Sequence, residues 1–117
     1  MEEALFRTML FDFYGELLTQ KQREYFDLHY NEDLSLAEIA QSEGITRQGV
    51  WDIIRRGEET LRRYESRTGL VERFARERLL LDRLEEHLNA LLPALSGEAA
   101  LAAEEMRKDL RELRHGI

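Results

Sequence analysis

The chain has 117 residues, a formal net charge of −7, no cysteine and one proline. This length fits one domain or one domain with an appendage, and the lack of cysteine excludes both a disulfide framework and a thiolate metal site. Hydrophobic residues make up 43% of the sequence, but no apolar run is long enough to span a membrane, and the N-terminus is acidic rather than signal-like. We therefore expect a folded, largely helical, cytoplasmic protein.

Charge is unevenly distributed along the chain. Residues 1–45 hold 3 Lys/Arg against 10 Asp/Glu, residues 46–68 hold 6 against 4, and residues 69–117 hold 8 against 10. The middle stretch is therefore the only positive one. Because contacts with DNA phosphates normally come from Lys and Arg, so small a basic segment weakens a DNA-binding interpretation without excluding it.

Two helices are predicted in the first third of the chain. An apolar stripe at helical spacing predicts the first over residues 3–17, packed in the core or partly forming a dimer surface. This stripe consists of Phe6, Met9, Leu10, Phe13 and Leu17. Thr19 begins the next helix, with Gln22 placed to complete a capping box. Within residues 20–31, His29 lies among aromatic side chains and is interpreted as a hydrogen-bonded core residue.

The stretch SLAEIAQSEGITRQGVWDIIRR, residues 35–56, predicts two helices joined by a tight turn. Ser35 and Glu38 have the spacing of a capping box. Gly44 stands where the first helix must end, because glycine accepts the left-handed conformation without a Cβ clash. Thr46 then caps the second helix.

Apolar residues around this turn have the spacing of a helix-turn-helix. Ala40 is expected to be small because the second helix crosses close above it, and Ile45 is expected to fill the corner. The inward face of the second helix is Val50, Ile53 and Ile54. Glu43 departs from the usual pattern, in which this position is often apolar. An ordinary helical hairpin is the alternative.

The second motif helix has no strong stop before Thr68 and is expected to reach about Ser66. After Gly69, apolar residues at steps of four and three, with Glu77 as the single polar break, predict a helical hairpin or coiled-coil pair, which can also dock a second copy or a partner helix. The two seams are Leu70, Phe74, Leu81, Leu84, Leu88, Leu91 and Leu95, then Ala99, Ala103, Met106, Leu110, Leu113 and Ile117. The predicted fold class is all-α, with a helix-turn-helix domain over residues 1–68 and a C-terminal helical hairpin over residues 69–117.

No catalytic, cofactor or metal site is predicted, since the three histidines are far apart and no nucleophile has a base beside it. The candidate binding face is the outward side of the second motif helix, which carries Arg47, Gln48, Trp51, Asp52, Arg55 and Arg56. In DNA-reading helices, Arg suits guanine and Gln suits adenine. Trp51 between arginines is instead typical of a protein-interface hot spot. The alternative is that the Trp51 side chain packs back onto Tyr64 or the C-terminal hairpin.

The sequence LLTQKQREYFDLHY, followed by SLAEIAQSEGITRQGVWDIIRRGEETLRRYE, resembles region four of bacterial sigma factors. It is more similar to the YlxM (p13-like) family of small helix-turn-helix proteins. The segment LFDFYGELLTQKQ and the triplet Thr46-Arg47-Gln48 fit that family, and the resemblance covers about residues 5–70. Gly49 and Trp51 depart from it, because alanine and tyrosine are usual at these positions.

Such proteins are encoded beside the signal recognition particle GTPase. The resemblance therefore implies a non-enzymatic regulator of that pathway, which contacts the GTPase or its RNA. The alternative is a transcription regulator that binds DNA as a dimer, and a third interpretation is an anti-sigma-like factor. A homodimer, no membrane span and no cofactor are expected.

Overall fold

A computed structural model describes residues 1–116, which form six α-helices and no strand. The helices are α1 Glu3–Tyr14, α2 Gln20–Phe26, α3 Leu36–Glu43, α4 Arg47–Thr68, α5 Leu70–Leu91 and α6 Gly97–Gly116. Two 3₁₀ turns, Gly15–Leu17 and Leu92–Ala94, follow α1 and α5, and a π-helical turn, Asp27–Asn31, follows α2. The predicted all-α fold class is confirmed. Ile117, the last predicted member of the hairpin seam, lies outside the described residues.

The chain divides into two compact units, residues 1–71 and residues 72–117. None of the helices in the described part of the chain is both long enough and apolar enough to cross a membrane. The domain boundary at residues 68 and 69 stays a prediction.

The core of residues 1–71 is built on a buried stripe along α4. Val50, Ile54 and Leu61 are fully buried there, and α1, α2 and α3 all pack against this helix. Gly57 lies in the same stripe, where an added Cβ would come within 3.4 Å of the Gln22 Cβ, so α2 passes close to α4. The other buried core residues are Leu10, Tyr14, Leu18, Tyr25, Phe26, Ile39, Ala40 and Val71.

The predicted start of α2 and the predicted end of α4 agree closely with the structure. The Thr19 hydroxyl accepts from the Gln22 amide at 3.2 Å, and the Gln22 side chain accepts from the Thr19 amide at 3.1 Å, so this capping box is confirmed. Helix α4 runs two residues past Ser66 and ends at Gly69, whose φ of 64° is left-handed.

The apolar stripe predicted over residues 3–17 packs only partly in the core. Phe13 and Leu17 are exposed, whereas Tyr14 and Leu18 are buried. Helix α1 ends at Tyr14, and the tighter turn over Gly15–Leu17 changes the angular spacing of the side chains that follow. Leu18 consequently takes the inward position that continuous α-helical spacing would have given to Leu17.

Tyr14 ties α1 to the end of α4. Its hydroxyl donates to the Glu65 carboxylate at 2.6 Å and also contacts the Thr68 hydroxyl. The same carboxylate oxygen accepts from the Val71 amide at 3.0 Å, which satisfies a free N–H in the first turn of α5. Burial raises the pKa of Tyr14, so the phenol stays protonated and able to donate at neutral pH.

A half-buried ion-pair network provides the second link between α1 and α4. The Arg7 Nε donates to Glu58 at 2.7 Å, and the guanidinium lies 4.4 Å from the Tyr30 ring centroid. Arg62 joins the same Glu58 at 3.2 Å and also pairs with Glu3. Arg62 is therefore engaged in holding the fold together.

Residues 72–117 contain most of α5 and all of α6, which run antiparallel. Arg114 pairs with Asp82 at 2.7 Å, and the Arg107 guanidinium donates to Asn89 at 3.4 Å. Of the predicted seam, Leu81, Leu88 and Ala103 are buried. The same seam also includes residues that stay more than half exposed, namely Leu84, Leu91, Met106 and Leu113. The hairpin thus buries only part of its apolar face.

The Tyr14 hydroxyl is expected to stabilise the fold measurably. Tyr14→Phe keeps the buried ring and loses the hydrogen bond to Glu65, so the free energy of unfolding should fall by about 1–2 kcal/mol. Tyr64→Phe is the matched control, because Tyr64 stacks on Tyr14 at 6.0 Å between ring centroids but is largely exposed. Urea denaturation should separate the two variants, and equal stability would show that the hydroxyl contributes little.

A pair of fragments tests where the first unit ends. Residues 1–67 should remain helical. They should be less stable than residues 1–73, because the shorter fragment lacks Val71, which is fully buried in the core. Full burial of a valine side chain contributes about 1.5–3 kcal/mol. Thermal denaturation followed by circular dichroism measures the difference. Two equal melting temperatures would show that the residues after Arg67 contribute nothing to the stability of the core.

Candidate functional site

The helix-turn-helix is formed by α3, a tight turn and the first half of α4. The Ser35 hydroxyl accepts from the Glu38 amide, and the Glu38 carboxylate accepts from the Ser35 amide, both at 3.0 Å. The hydrogen bond from the Ser35 backbone lowers the pKa of Glu38. Gly44 is left-handed, with φ 71° and ψ 30°. The Thr46 hydroxyl accepts from the Gly49 amide at 3.0 Å and caps α4.

One detail of the turn differs from the expectation. Ile45 does not fill the corner, because its side chain is exposed. Its amide instead donates to the Ala40 carbonyl at 3.2 Å, beside the 2.9 Å bond from the Gly44 amide to the same oxygen. At Gly49 an added Cβ would lie 3.2 Å from the Thr46 hydroxyl oxygen. The missing side chain at Gly49 therefore leaves room for the helix cap.

Glu43, the polar residue before the turn, lies near a buried tyrosine. Glu43 is exposed, and Tyr25 is fully buried beneath the motif. Burial raises the pKa of Tyr25, and the nearby negative charge of Glu43 raises it further. Among the described residues the Tyr25 hydroxyl has no hydrogen-bond partner, so the structure does not explain why position 43 is polar.

His29 has a structural role at the entry to the motif. Its Nδ1 lies 2.8 Å from the Leu34 carbonyl oxygen, directly before the Ser35 cap. The ring also packs edge-on against Tyr30, with centroids 4.8 Å apart. In the part of the chain that the structure describes, no group of His, Asp or Glu side chains is placed to hold a metal ion.

The outward side of α4 carries the predicted site residues. Arg47, Gln48, Trp51, Arg55 and Arg56 are exposed, and Asp52 is half-buried. On the opposite side, Val50 and Ile54 are fully buried and Ile53 is partly buried. The helix therefore presents the six predicted residues on its solvent-exposed surface, although they do not all have free functional groups.

Two of the six residues are engaged by neighbouring carboxylates. Arg55 donates to Glu59 at 2.7 Å and lies 3.9 Å from Asp52. The Gln48 amide donates to Asp52 at 3.0 Å. A ligand that recruits Arg55 or Gln48 must displace these contacts. The spacing of four residues between Arg55 and Glu59 is a signal from which the pair could have been predicted.

Trp51 forms one side of a cleft between α3 and α4. The cleft has a volume of about 410 Å³ and is lined by Leu36, Arg47, Gln48 and Trp51. The indole is 37% exposed and does not stack on Tyr64, whose ring lies against Tyr14. An aromatic wall, an aliphatic floor and an arginine at the edge can accept an apolar side chain or a stacked base.

Two arginines, Arg63 and Arg67, continue along α4 from the predicted Arg56 and were not predicted from the sequence. Arg56, Arg63 and Arg67 are exposed and lie seven and four residues apart, so they share one side of the helix. Within the described residues none of the three forms an ion pair, nor does Arg47. The free positive charge of α4 therefore lies on Arg47 at one edge and on this row at the other.

These features define a helix-turn-helix protein with a mixed aromatic and basic surface on its second motif helix. A sequence model of the UPF0122 family, described as “Putative helix-turn-helix protein, YlxM / p13 like”, matches residues 1–93. The chain belongs to this family. The match extends through α5 and thus beyond residues 5–70, the part on which the resemblance was first based.

Individual relatives agree with the family match. A UPF0122 protein of Symbiobacterium thermophilum is 49% identical over 98 residues, which cover 82% of this chain and 92% of the relative. A UPF0122 protein of Geobacillus kaustophilus is 40% identical over 104 residues, or 89% of this chain and 94% of the relative. One from Clostridium kluyveri is 53% identical over 72 residues, or 62% and 65%.

Replacement of Gly44 should lower the free energy of unfolding only through strain in the backbone. A Cβ at this position would meet no atom within 4 Å, but the left-handed φ disfavours any L side chain. Gly44→Val should therefore lower the free energy of unfolding by about 1–2 kcal/mol or more. Gly44→Asn should cost less, because asparagine tolerates this conformation. Chemical denaturation measures both, and equal losses would indicate a steric cause instead.

Proposed function

We propose that this protein is a non-enzymatic regulator that acts in the cytoplasm on the signal recognition particle pathway. It does so by contacting the particle's GTPase or RNA through the α3–α4 surface. The binding residues in this proposal are Arg47, Gln48, Trp51, Asp52, Arg55 and Arg56. Membership of the helix-turn-helix family supports a binding role, and the link to the particle rests on the resemblance to YlxM-like proteins.

The observation that carries the proposal is the placement of Trp51. An exposed indole beside an aliphatic floor and an unpaired arginine has the composition of an interface hot spot. Two of the other polar residues, Gln48 and Arg55, already bond to carboxylates. Apolar anchoring with a few polar contacts therefore fits this surface better than phosphate binding alone. The net charge of −7 also favours a basic partner protein at moderate salt.

A DNA-binding regulator acting as a dimer is the second candidate. The helix-turn-helix itself supports it, and so do the free charges of Arg56, Arg63 and Arg67. Four unpaired arginines on α4, counting Arg47, are few for a DNA-binding protein, and the N-terminal 45 residues are strongly acidic. Nucleic acid binding by this row would be mainly electrostatic.

Replacement of the predicted surface should separate binding from stability. Arg47→Ala, Trp51→Ala and Arg55→Ala together should abolish partner binding, while the free energy of unfolding changes by no more than about 0.5 kcal/mol for each exposed residue. Trp51→Ala alone should cost about 2 kcal/mol of affinity, or roughly 30-fold in Kd. Isothermal titration with the purified GTPase, and separately with its RNA, measures both effects.

Tyr64→Ala provides the matched control for Trp51→Ala. Both aromatic residues lie on α4 and both are 37% exposed, but Tyr64 lies outside the motif. The control should bind its partner as the parent does. If the triple variant binds both the GTPase and the RNA normally, the α3–α4 surface is not the contact site.

Salt dependence distinguishes the two candidate functions. If four arginines contact DNA phosphates, the affinity should fall by about 10²-fold between 50 and 200 mM salt. Arg63→Ala with Arg67→Ala should then halve the slope of log K against log salt. Binding anchored by Trp51 should weaken only gently and should survive nuclease treatment. A steep, nuclease-sensitive interaction with promoter DNA would favour the DNA-binding regulator.

A further inference from the structure

The C-terminal hairpin leaves an apolar groove open along one side. Leu84 and Leu91 lie seven residues apart on α5, and Met106 and Leu113 lie seven apart on α6. These four side chains are 53%, 55%, 57% and 53% exposed. Together with Leu88, Leu110, His87 and Asp109 they line a groove of about 370 Å³ within residues 72–117.

The spacing identifies what kind of surface this is. In a helical bundle, the core positions of each helix alternate at spacings of three and four residues. They therefore form two columns of apolar side chains, each with a seven-residue period, and both columns face the common core. On α5 the column of Leu81 and Leu88 is buried, and the column of Leu84 and Leu91 is open. The hairpin therefore resembles half of a four-helix bundle, in which one column meets the other helix and the second column still needs a partner.

The two edges of the groove carry opposite charges. Arg76 and Arg83 lie seven residues apart along the α5 edge, followed by the imidazole of His87, whereas the carboxylates of Glu105, Asp109 and Glu112 follow the α6 edge. Among the described residues, neither Arg83 nor Glu112 forms an ion pair. Arg83 and Glu112 are therefore available for pairing across an interface, whereas Glu105 already pairs with Lys108 at 3.3 Å.

The contacts of Asp82 with Arg114 and of Asn89 with Arg107 define the alignment of the helices. With this alignment, His87 lies at the same height along the helix axes as Asp109. Arg83 lies at the same height as Leu113, next to Glu112. A second copy related by a two-fold axis parallel to the helices would place α5 of one copy against α6 of its partner. Arg83 would then meet Glu112, and His87 would meet Asp109, each across the interface and each twice by symmetry.

We propose that the groove is a homodimer interface in which the α5–α6 hairpins of two copies form an antiparallel four-helix bundle. The opposite charges of the edges select this arrangement. A two-fold axis perpendicular to the helices would place α5 against α5 and α6 against α6, with like charges facing each other. The inference does not depend on the proposed function of the α3–α4 surface.

The size of the face fits a weak, reversible dimer. Full helices of about 20 residues at 1.5 Å per residue are about 30 Å long, and two helices about 10 Å apart are roughly 20 Å wide, which gives a flat area of roughly 600 Å². The apolar groove occupies residues 84–91 and 106–113 of this length, and the ion pair of Arg73 with Glu77 continues the same side of α5 beyond it. The face is therefore partly polar and smaller than the roughly 800 Å² per partner of a standard interface.

Sedimentation equilibrium of the full chain tests the interface. The parent should approach twice the monomer mass of 13.8 kDa as its concentration rises. Leu84→Glu with Met106→Glu should raise the dimer dissociation constant by about 30-fold or more. The control is Leu79→Glu with Leu101→Glu, at residues that are 65% and 70% exposed but lie away from the groove. A monomeric parent, or equal dissociation of both variants, would overturn the proposal.

Charge reversal tests the pairing without disturbing apolar packing. Arg83→Glu alone and Glu112→Arg alone should each raise the dissociation constant by about 5-fold, because each affects two symmetry-related surface pairs. The two reversals combined should return it to within about 2-fold of the parent, because the pairs are restored with opposite polarity. Circular dichroism establishes that each variant is folded. Additive weakening in the double variant would contradict the α5-to-α6 arrangement.

Discussion

Val50, Ile54, Gly57 and Leu61 form one buried stripe along α4, and the three helices before it all pack against that stripe. Helix α2 lies close to the stripe, since a Cβ at Gly57 would be 3.4 Å from the Gln22 Cβ. Because one side of α4 is committed to the core, its other side must face solvent. The helix that closes the core is therefore also the helix that presents the candidate binding residues.

The availability of charge on that exposed side depends on neighbouring carboxylates. Arg62 is held by Glu3 and Glu58 in the network that fixes α1 to α4, and Arg55 is held by Glu59. Within residues 1–116, Arg47 and the row of Arg56, Arg63 and Arg67 form no ion pair. The unpaired positive charges of α4 thus lie at two edges of its exposed side. The cleft beside Trp51 adjoins the edge that carries Arg47. This division is the physical reason for testing the aromatic and the basic residues separately.

The α3–α4 surface and the groove of the C-terminal hairpin carry different kinds of chemistry. The first combines one indole with a few polar groups, which suits recognition of a different molecule. The second is a long apolar strip between edges of opposite charge, which suits a copy of itself because a two-fold axis pairs each edge with its complement. Variants of one surface leave the residues of the other unchanged. Loss of partner binding and loss of dimerisation can therefore be measured independently.

Local chemistry in the sequence determined the caps at Thr19, Ser35 and Thr46 and the left-handed turn at Gly44, because such features depend on residues only a few positions apart. The exposed face of α4 also followed from helical spacing. Only the tertiary structure decided that Leu18 replaces Leu17 in the core, since this depends on where α1 tightens. It also decided which arginines are bound by distant carboxylates and which leucines of the hairpin seam stay open. These outcomes depend on how far apart segments pack, and spacing along the chain does not contain that information.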